Sequence, residues 1–358
     1  MNHVPEVKKK VTPAGGDYLN NFDLWRLIAA LQVAAVHAMN HLGTPGSAAL
    51  AQMLELFPGV PIFFLISGFL VSGSWARSHG LRDYAVRRSL RIFPGLWCCL
   101  LVGIVSVLAF SDIRPAPGEF AAWLFAQLTM GQFYNPDFLR GYGVGVLNGS
   151  LWTIPVELQF YMVLPLVFRF LGRGTLQHWL LIVVLLALAA AVNRGYYSLH
   201  EAHSGRFEKY LGVTFLPHIY FFFLGMMAYG WKEQLVPLVR NRLLLWLAAY
   251  AASVWLLAEA GGEVRGNGIS PVLAPVLGLL VLSGAYSLPN LAERLLRGND
   301  ISYGTYIYHM LAVNLLVQLH FTGQWRYWCI AMIATVALAI LSWTWVERPG
   351  LKLKRKVG

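Results

Sequence analysis

The chain has 358 residues, of which 57% are hydrophobic and only 13% charged, and it carries a formal net charge of +11. Together with a positive mean hydropathy, this composition excludes an ordinary water-soluble enzyme domain and indicates a polytopic membrane protein. The basic residues fall between apolar spans, so the charge marks membrane orientation and no nucleic-acid partner is expected.

Windows of about 20 apolar residues, the length that crosses a hydrocarbon core, fall near 22–42, 56–76, 90–110, 150–171, 176–194, 213–231, 243–260, 270–288, 302–320 and 327–346. They predict an all-α bundle of ten transmembrane helices over residues 22–346, with an N-terminal tail at 1–21 and a basic C-terminal tail at 347–358. An even number of spans puts both termini on one side. That side would hold twenty Lys and Arg residues, among them Lys8, Lys9, Lys10, Arg87, Arg88, Arg91, Arg173, Lys354, Arg355 and Lys356, against seven on the other. Both termini of this multi-pass chain are therefore expected in the cytoplasm. No cleavable leader is expected, because the polar, Lys-containing start precedes a full-length span without a small-residue cleavage site.

In chain order, the first span carries Asp23-Leu-Trp-Arg26 and then an apolar run to His37. At 1.5 Å per residue the eleven steps from Arg26 to His37 make about three turns, so the two side chains share a face about 16 Å apart. Ionisable groups inside a membrane helix face a bundle interior or a wet cavity and point to function. The alternative is an arginine that snorkels from the helix end and a hydrogen-bonded core histidine. His37 and His41 have the spacing of a metal pair, but no acidic residue or cysteine nearby completes a site, and no metal is expected. Cys98, Cys99 and Cys329 lie in hydrophobic runs and read as packed thiols.

Arg87, Arg88 and Arg91 open the third span ahead of Pro94. Guanidiniums on neighbouring helix faces repel, so an anionic, phosphate-bearing ligand would stabilise them, as would anionic lipid headgroups. The outward connection at 111–149 holds Trp123, Phe125, Phe133, Tyr134, Phe138 and Tyr142, rings that suit a sugar-binding rim or an interfacial belt. The fourth span brings Ser150, Trp152 and Pro155, then Glu157, about seven residues inside an apolar helix and in need of an internal partner, with Tyr161 one turn on. The ninth opens with Ser302-Tyr303-Gly-Thr-Tyr306-Ile-Tyr308-His309. Here Ser302 can cap the helix, and His309 is structural or positions a ligand. Glu347-Arg348-Pro349 ends the tenth.

The ordered set of Asp23-x-x-Arg26-x10-His37, Phe63-Phe64-Leu-Ile-Ser67-Gly68-Phe69, Arg88-x-x-Arg91, Ser150-Leu-Trp-x-Ile-x-Val-Glu157, Ser302-Tyr303-Gly-x-Tyr-x-x-His309 and Glu-Arg-Pro resembles the membrane-bound acyltransferase family 3 across essentially the whole chain. The resemblance implies a ten-helix inner-membrane enzyme that moves an acyl group, commonly acetyl from acetyl-CoA, onto a hydroxyl of an extracytoplasmic glycan. It implies that the residue at His37 is catalytic, and that Arg26, Arg88 and Arg91 serve donor binding or site integrity. Some members add a soluble esterase-like domain, which is not read here.

Acyl-CoA is thus the expected co-substrate, with its phosphates at the arginines and its thioester at His37. A neutral imidazole can take a proton from an acceptor hydroxyl or carry the acyl group itself. Glu157 is the expected partner of His37, with Asp23 second because it sits about 20 Å away along the helix. Ser67, Trp152 and Tyr161 are candidate donors to a developing oxyanion; Tyr303 and His309 join the donor-binding set. A secondary transporter or flippase of a small anion or glycan precursor would also place ionisable residues in such a bundle. A structural membrane subunit would need none of them.

Overall fold

The computed structural model describes residues 20–171, 176–202 and 205–353. Residues 1–19 of the expected N-terminal tail and 354–358 of the expected C-terminal tail lie outside the described residues, as does Arg173. Among the described residues the fold is helical, with no strand. In chain order the helices are α1 (Phe22–His41), α2 (Ala48–Glu55), α3 (Gly59–Ala76), α4 (Leu81–Phe110), α5 (Pro117–Leu128), α6 (Thr153–Leu171), α7 (Leu176–Ala202), α8 (Arg206–Gly212), α9 (Ile219–Gly230), α10 (Lys232–Val239), α11 (Leu243–Glu259), α12 (Ala274–Tyr286), α13 (Leu291–Leu296), α14 (Ser302–Gln318), α15 (Trp325–Ser342) and α16 (Arg348–Lys352).

Among the described residues six helical stretches are long and apolar enough to cross a membrane, and a seventh is added if α10 and α11, which meet at 93°, count as one broken span. The expected windows at 213–231, 243–260, 270–288 and 302–320 coincide with helices of 12, 17, 13 and 17 residues. At 1.5 Å per residue even the longest of these is about 25 Å, somewhat short of a hydrocarbon core of about 30 Å. Hydropathy read along the chain counts apolar residues whichever way they face: α11 turns many of its large apolar residues outward, whereas α12 and α14 are apolar because they pack inside the protein.

Helix α14 shows this most clearly. Thirteen of its seventeen residues are buried, on every side, as expected of a helix in the middle of a bundle. It packs between α1, α4 and α15. On the other flank of α1, α3 crosses α9 at Gly68 and Gly225 so closely that a Cβ on Gly68 would lie 2.1 Å from the Phe222 carbonyl oxygen, and one on Gly225 would lie 2.0 Å from that of Leu65. Small residues at such crossings let backbones approach and gain dispersion contact, the main source of helix association within lipid. Gly225→Ala should therefore force α3 and α9 apart. We expect a large loss of monodisperse protein in detergent, read by size-exclusion chromatography, with Gly230→Ala, where the added carbon meets open space, as the tolerated control.

One end of the bundle collects Arg26, Ser74, Arg88, Arg91 and Asp300. At the other, the 111–149 connection docks onto α14. Asn314 accepts from the Val144 amide at 2.8 Å and donates to the carbonyls of Val146 and Leu147 at 3.0 and 2.9 Å. Of the six aromatic rings in this connection, Trp123 and Tyr142 are core residues at 2% and 1% exposure, whereas Phe125, Phe133 and Tyr134 are exposed. A rim or belt can thus use only part of the set.

Candidate active site

A cavity of about 790 Å³, counting the open space at its mouth, runs from the arginine-bearing end into the bundle between α1, α3, α4, α6 and α14. It gathers Arg26, Ser67, Arg88, Arg91, Glu157, Tyr161 and Tyr303 from the candidate residues, and Phe63, Thr153 and Tyr306 besides. Along α3, Ser74 Oγ at the mouth accepts from Arg88 Nη2 at 3.1 Å, and Phe63 stands eleven residues deeper, about 16 Å. The Phe63 and Tyr306 rings meet edge to face at 5.4 Å and form the inner wall.

The basic cluster is largely neutralised from within. Arg87 turns back to Asp83 at 2.6 Å and does not line the cavity. Arg91 Nη2 reaches Asp300 Oδ2 at 2.5 Å, and Arg26 Nη1 reaches the same oxygen at 3.1 Å while Nη2 pairs with Asp23. Asp300 thus replaces much of the anion that three repelling guanidiniums seemed to require. Arg88 differs. It lies over the Tyr161 ring at 5.5 Å, forms no ion pair among the described residues, and keeps a buried Nε without a hydrogen-bond partner. Arg26 Nε is unpartnered too, but Arg26 and Arg91 both hold carboxylates, so Arg88 is the cavity arginine left without an anion among the described residues and the one suited to bind one.

Asp300 was not legible as a site residue. It precedes α14, and its Oδ1 accepts from the Ser302 amide at 3.2 Å and the Ser302 hydroxyl at 2.5 Å. The expected cap role of Ser302 is therefore corrected: Ser302 donates to Asp300, whose carboxylate caps the helix. The one available signal was an acidic residue just before an apolar helix.

Glu157 also differs from expectation. Helix α6 begins at Thr153, so Glu157 lies about one turn inside it. Pro155 falls in the first turn, where the backbone N–H groups have no helical partners and proline frees nothing. Its Oε1 accepts from Ser67 Oγ at 2.9 Å and from the Tyr161 hydroxyl. Asp23 is held by Arg26 at the mouth. Neither carboxylate is the partner of His37. Trp152 packs on His218 with ring centroids 5.1 Å apart and does not line the cavity. Tyr303 donates to the Ile92 carbonyl at 2.9 Å, two residues ahead of Pro94 in α4.

The partner of His37 is His309. His37 Nδ1 and His309 Nε2 are 2.9 Å apart, and His309 Nδ1 is 2.6 Å from the Tyr306 carbonyl oxygen. A carbonyl oxygen only accepts, so His309 Nδ1 carries a proton. His309 is buried at 1% exposure, and neither ring forms an ion pair among the described residues, so both are neutral. His309 Nε2 then presents a lone pair, His37 Nδ1 donates to it, and His37 Nε2 is left unprotonated. The arrangement leaves a lone pair on His37 Nε2 without help from a carboxylate. His309 lies one turn beyond Tyr306, 5.9 Å ring to ring. His37 is half-buried, and exposed His41 stands 6.0 Å further along α1.

A helical multi-pass membrane protein with a basic-mouthed cavity and a neutral imidazole pair beyond its inner wall belongs to the class of membrane-embedded group-transfer proteins. The family model described as an acyltransferase domain matches residues 19–344. The chain is 36% identical to nodulation protein 10 of Rhizobium leguminosarum bv. viciae, over 94% of each chain. It is 27% identical to the O-acetyl transferase of Shigella phage Sf6, over 92% of this chain and 95% of that one. To the peptidoglycan O-acetyltransferase OatA of Listeria monocytogenes serovar 1/2a it is 24% identical, over 44% of this chain and 25% of that one. No solved structure matches. The chain belongs to the membrane-bound acyltransferase family 3 and is an acyltransferase.

Proposed function

We propose that this chain takes an acetyl group from acetyl-CoA on its arginine-bearing face, the cytoplasmic face of a bacterial inner membrane, and transfers it to a hydroxyl of an extracytoplasmic glycan. The observation that carries this reading is the cavity whose charged mouth and inner wall are separated by a chain-length path, with the His37–His309 pair just past that wall. The names of the phage and Listeria relatives support O-acetyl transfer.

The donor's phosphates bind at Arg88, and its pantetheine arm follows α3 toward Phe63. His37 Nε2 takes the proton of the acceptor hydroxyl as that oxygen attacks the thioester carbonyl. His37 Nδ1–H stays on His309, which holds the ring while it is charged. Collapse of the tetrahedral intermediate breaks the C–S bond, and the proton on Nε2 passes to the departing thiolate. Ester and free thiol form with no net proton consumed.

The test is free-thiol release from acetyl-CoA by detergent-purified protein, with and without cell-envelope glycan. Glycan-stimulated release is expected. Arg88→Ala should weaken donor affinity about tenfold or more, the loss of one charge-assisted contact, with little change at saturation. Substrate flux across vesicles with no thiol release under any condition would instead make the chain a transporter.

A further inference from the structure

A second cavity, of about 1,100 Å³ counting the open space at its mouth, opens at the same end of the bundle. It adjoins the first: Leu70 lines both, and the Asp23–Arg26 pair stands between them, Asp23 on the second cavity and Arg26 on the first. Its walls come from α3 (Phe69, Gly73, Arg77), the α9–α10 corner (Tyr229, Lys232) and the segment from Tyr286 to Gly298. Arg77, the residue that closes the end of α3, lies one turn beyond Gly73, on the mouth side of Ser74, which holds Arg88. The two cavities therefore form one path along a single helix.

We propose that this second cavity is the nucleotide subsite of the donor: it takes a phosphorylated adenosine, with Arg77 and Lys232 on the ribose phosphate and the aromatic wall on the base. The inference rests on the acyl-CoA reading above and deepens it.

Charge supports the phosphate assignment. Arg77 forms no ion pair among the described residues, and Lys232 lies 5.2 Å above the Tyr229 ring with Glu233 only at the 4.0 Å limit of an ion pair. Of the two carboxylates on the walls, Asp23 is held by Arg26. Glu293, on α13, is an acceptor for a ribose hydroxyl or the adenine amine. Phe69 and Tyr229 meet edge to face at 5.6 Å, a rigid apolar platform of the kind on which bases stack. The opposite wall is held in an unusual backbone conformation. Leu288, Asn290 and Arg297 have φ of 52°, 66° and 51°, a region costly for a branched residue such as leucine and concentrated at ligand clamps. Asn21 fixes this wall to the start of α1, donating to the Ser287 and Leu288 carbonyls at 2.6 and 3.1 Å and accepting from the Ala292 amide at 2.8 Å. The same helix start carries Asp23 and Arg26, so the wall is tied to the helix that bears the neck between the two cavities.

The subsite explains how the donor is graded along the path. The pyrophosphate meets Arg88 at the neck, the pantetheine arm occupies the first cavity, and the nucleoside with its 3′-phosphate stays in the second.

The experiment compares binding of CoA, 3′-dephospho-CoA and S-acetylpantetheine to the purified full chain and to an Arg77→Gln/Lys232→Gln variant. Wild type is expected to prefer CoA over 3′-dephospho-CoA by about tenfold or more, from charge-assisted contacts to one phosphate. The variant should lose that preference and bind S-acetylpantetheine as wild type does. In a second measurement, on wild type alone, adenosine 3′,5′-bisphosphate should compete with CoA. A variant that keeps the full preference for the 3′-phosphate, or bisphosphate that fails to compete although CoA binds, overturns the subsite. Wild type that binds none of the three thiols or thioesters overturns the donor reading itself, and the subsite with it.

Discussion

His37→Ala should lower acetyl transfer by about a thousandfold, in the middle of the range for removing a positioned general base, with donor affinity unchanged. The more discriminating variant is at its partner. His309→Ala removes the acceptor that holds His37 Nδ1–H, so the free ring can rotate or carry its proton on Nε2, where it cannot act as a base. His309→Gln offers a side-chain carbonyl oxygen in place of Nε2 and can accept the same proton. We expect turnover to fall about a hundredfold in His309→Ala and to recover in large part in His309→Gln, while the donor KM stays constant in both. Equal losses in the two would reduce His309 to a packing residue. Acetyl trapped on His37 in the absence of acceptor would make His37 the carrier of the group rather than the base, with His309 holding the same tautomer.

Asp300→Asn should be the most damaging change outside the imidazole pair. The carboxylate serves Arg26, Arg91 and the start of α14 at once, and its side chain is only 9% exposed, against 21% and 15% for the two arginines. Asparagine keeps the shape and part of the cap but leaves two nearly buried guanidiniums short of an anion, an imbalance that costs about 3–5 kcal/mol when a buried pair is broken. A clear fall in Tm in detergent is expected, together with a widened cavity mouth and a weaker donor titration. The pH dependence follows from the same contacts. Burial alone would raise the Asp300 carboxyl, but Arg26 and Arg91 outweigh it and hold the group well below the usual carboxylate range. With the folded value depressed, its stabilisation is fully present above the unfolded value of about 4. It is lost only as pH falls through the lower folded one. Wild-type Tm should therefore keep the Asp300 contribution down to about pH 4, and the gap between wild type and Asp300→Asn should close only in stronger acid. A gap that vanishes between pH 5 and 6 would show that Asp300 is not held in this way.

Much of the site was legible as residue types. Arg26, Arg88, Arg91, Ser67, Glu157, Tyr161, Tyr303, His37 and His309 stand out because ionisable and polar groups are expensive inside apolar helices and persist where something uses them. Spacing along one helix also fixed the depth of His37 relative to Arg26, since helical rise is the same in any context. Pairing across helices was not legible. Glu157 looked like the partner of His37 because it was the one intramembrane acid in the middle of the chain, yet it is held by Ser67 and Tyr161 on the cavity wall, and His309 arrives from 272 residues away. Phe63 and Tyr306 stood in the ordered motifs without a role of their own, Asp300 showed only as an acid ahead of an apolar helix, and Thr153 carried no distinguishing pattern before the helices were assembled.

The sequence by itself determined the membrane class, the helical content, the family and the ionisable residues that matter, because composition, local periodicity and ordered motifs are properties of the chain alone. Only the tertiary structure decided which charges neutralise one another, which nitrogen of His37 is free, and where the cavity ends. Those depend on hydrogen bonds of 2.5 to 3.1 Å between helices far apart in the chain, and distance in sequence does not encode distance in space.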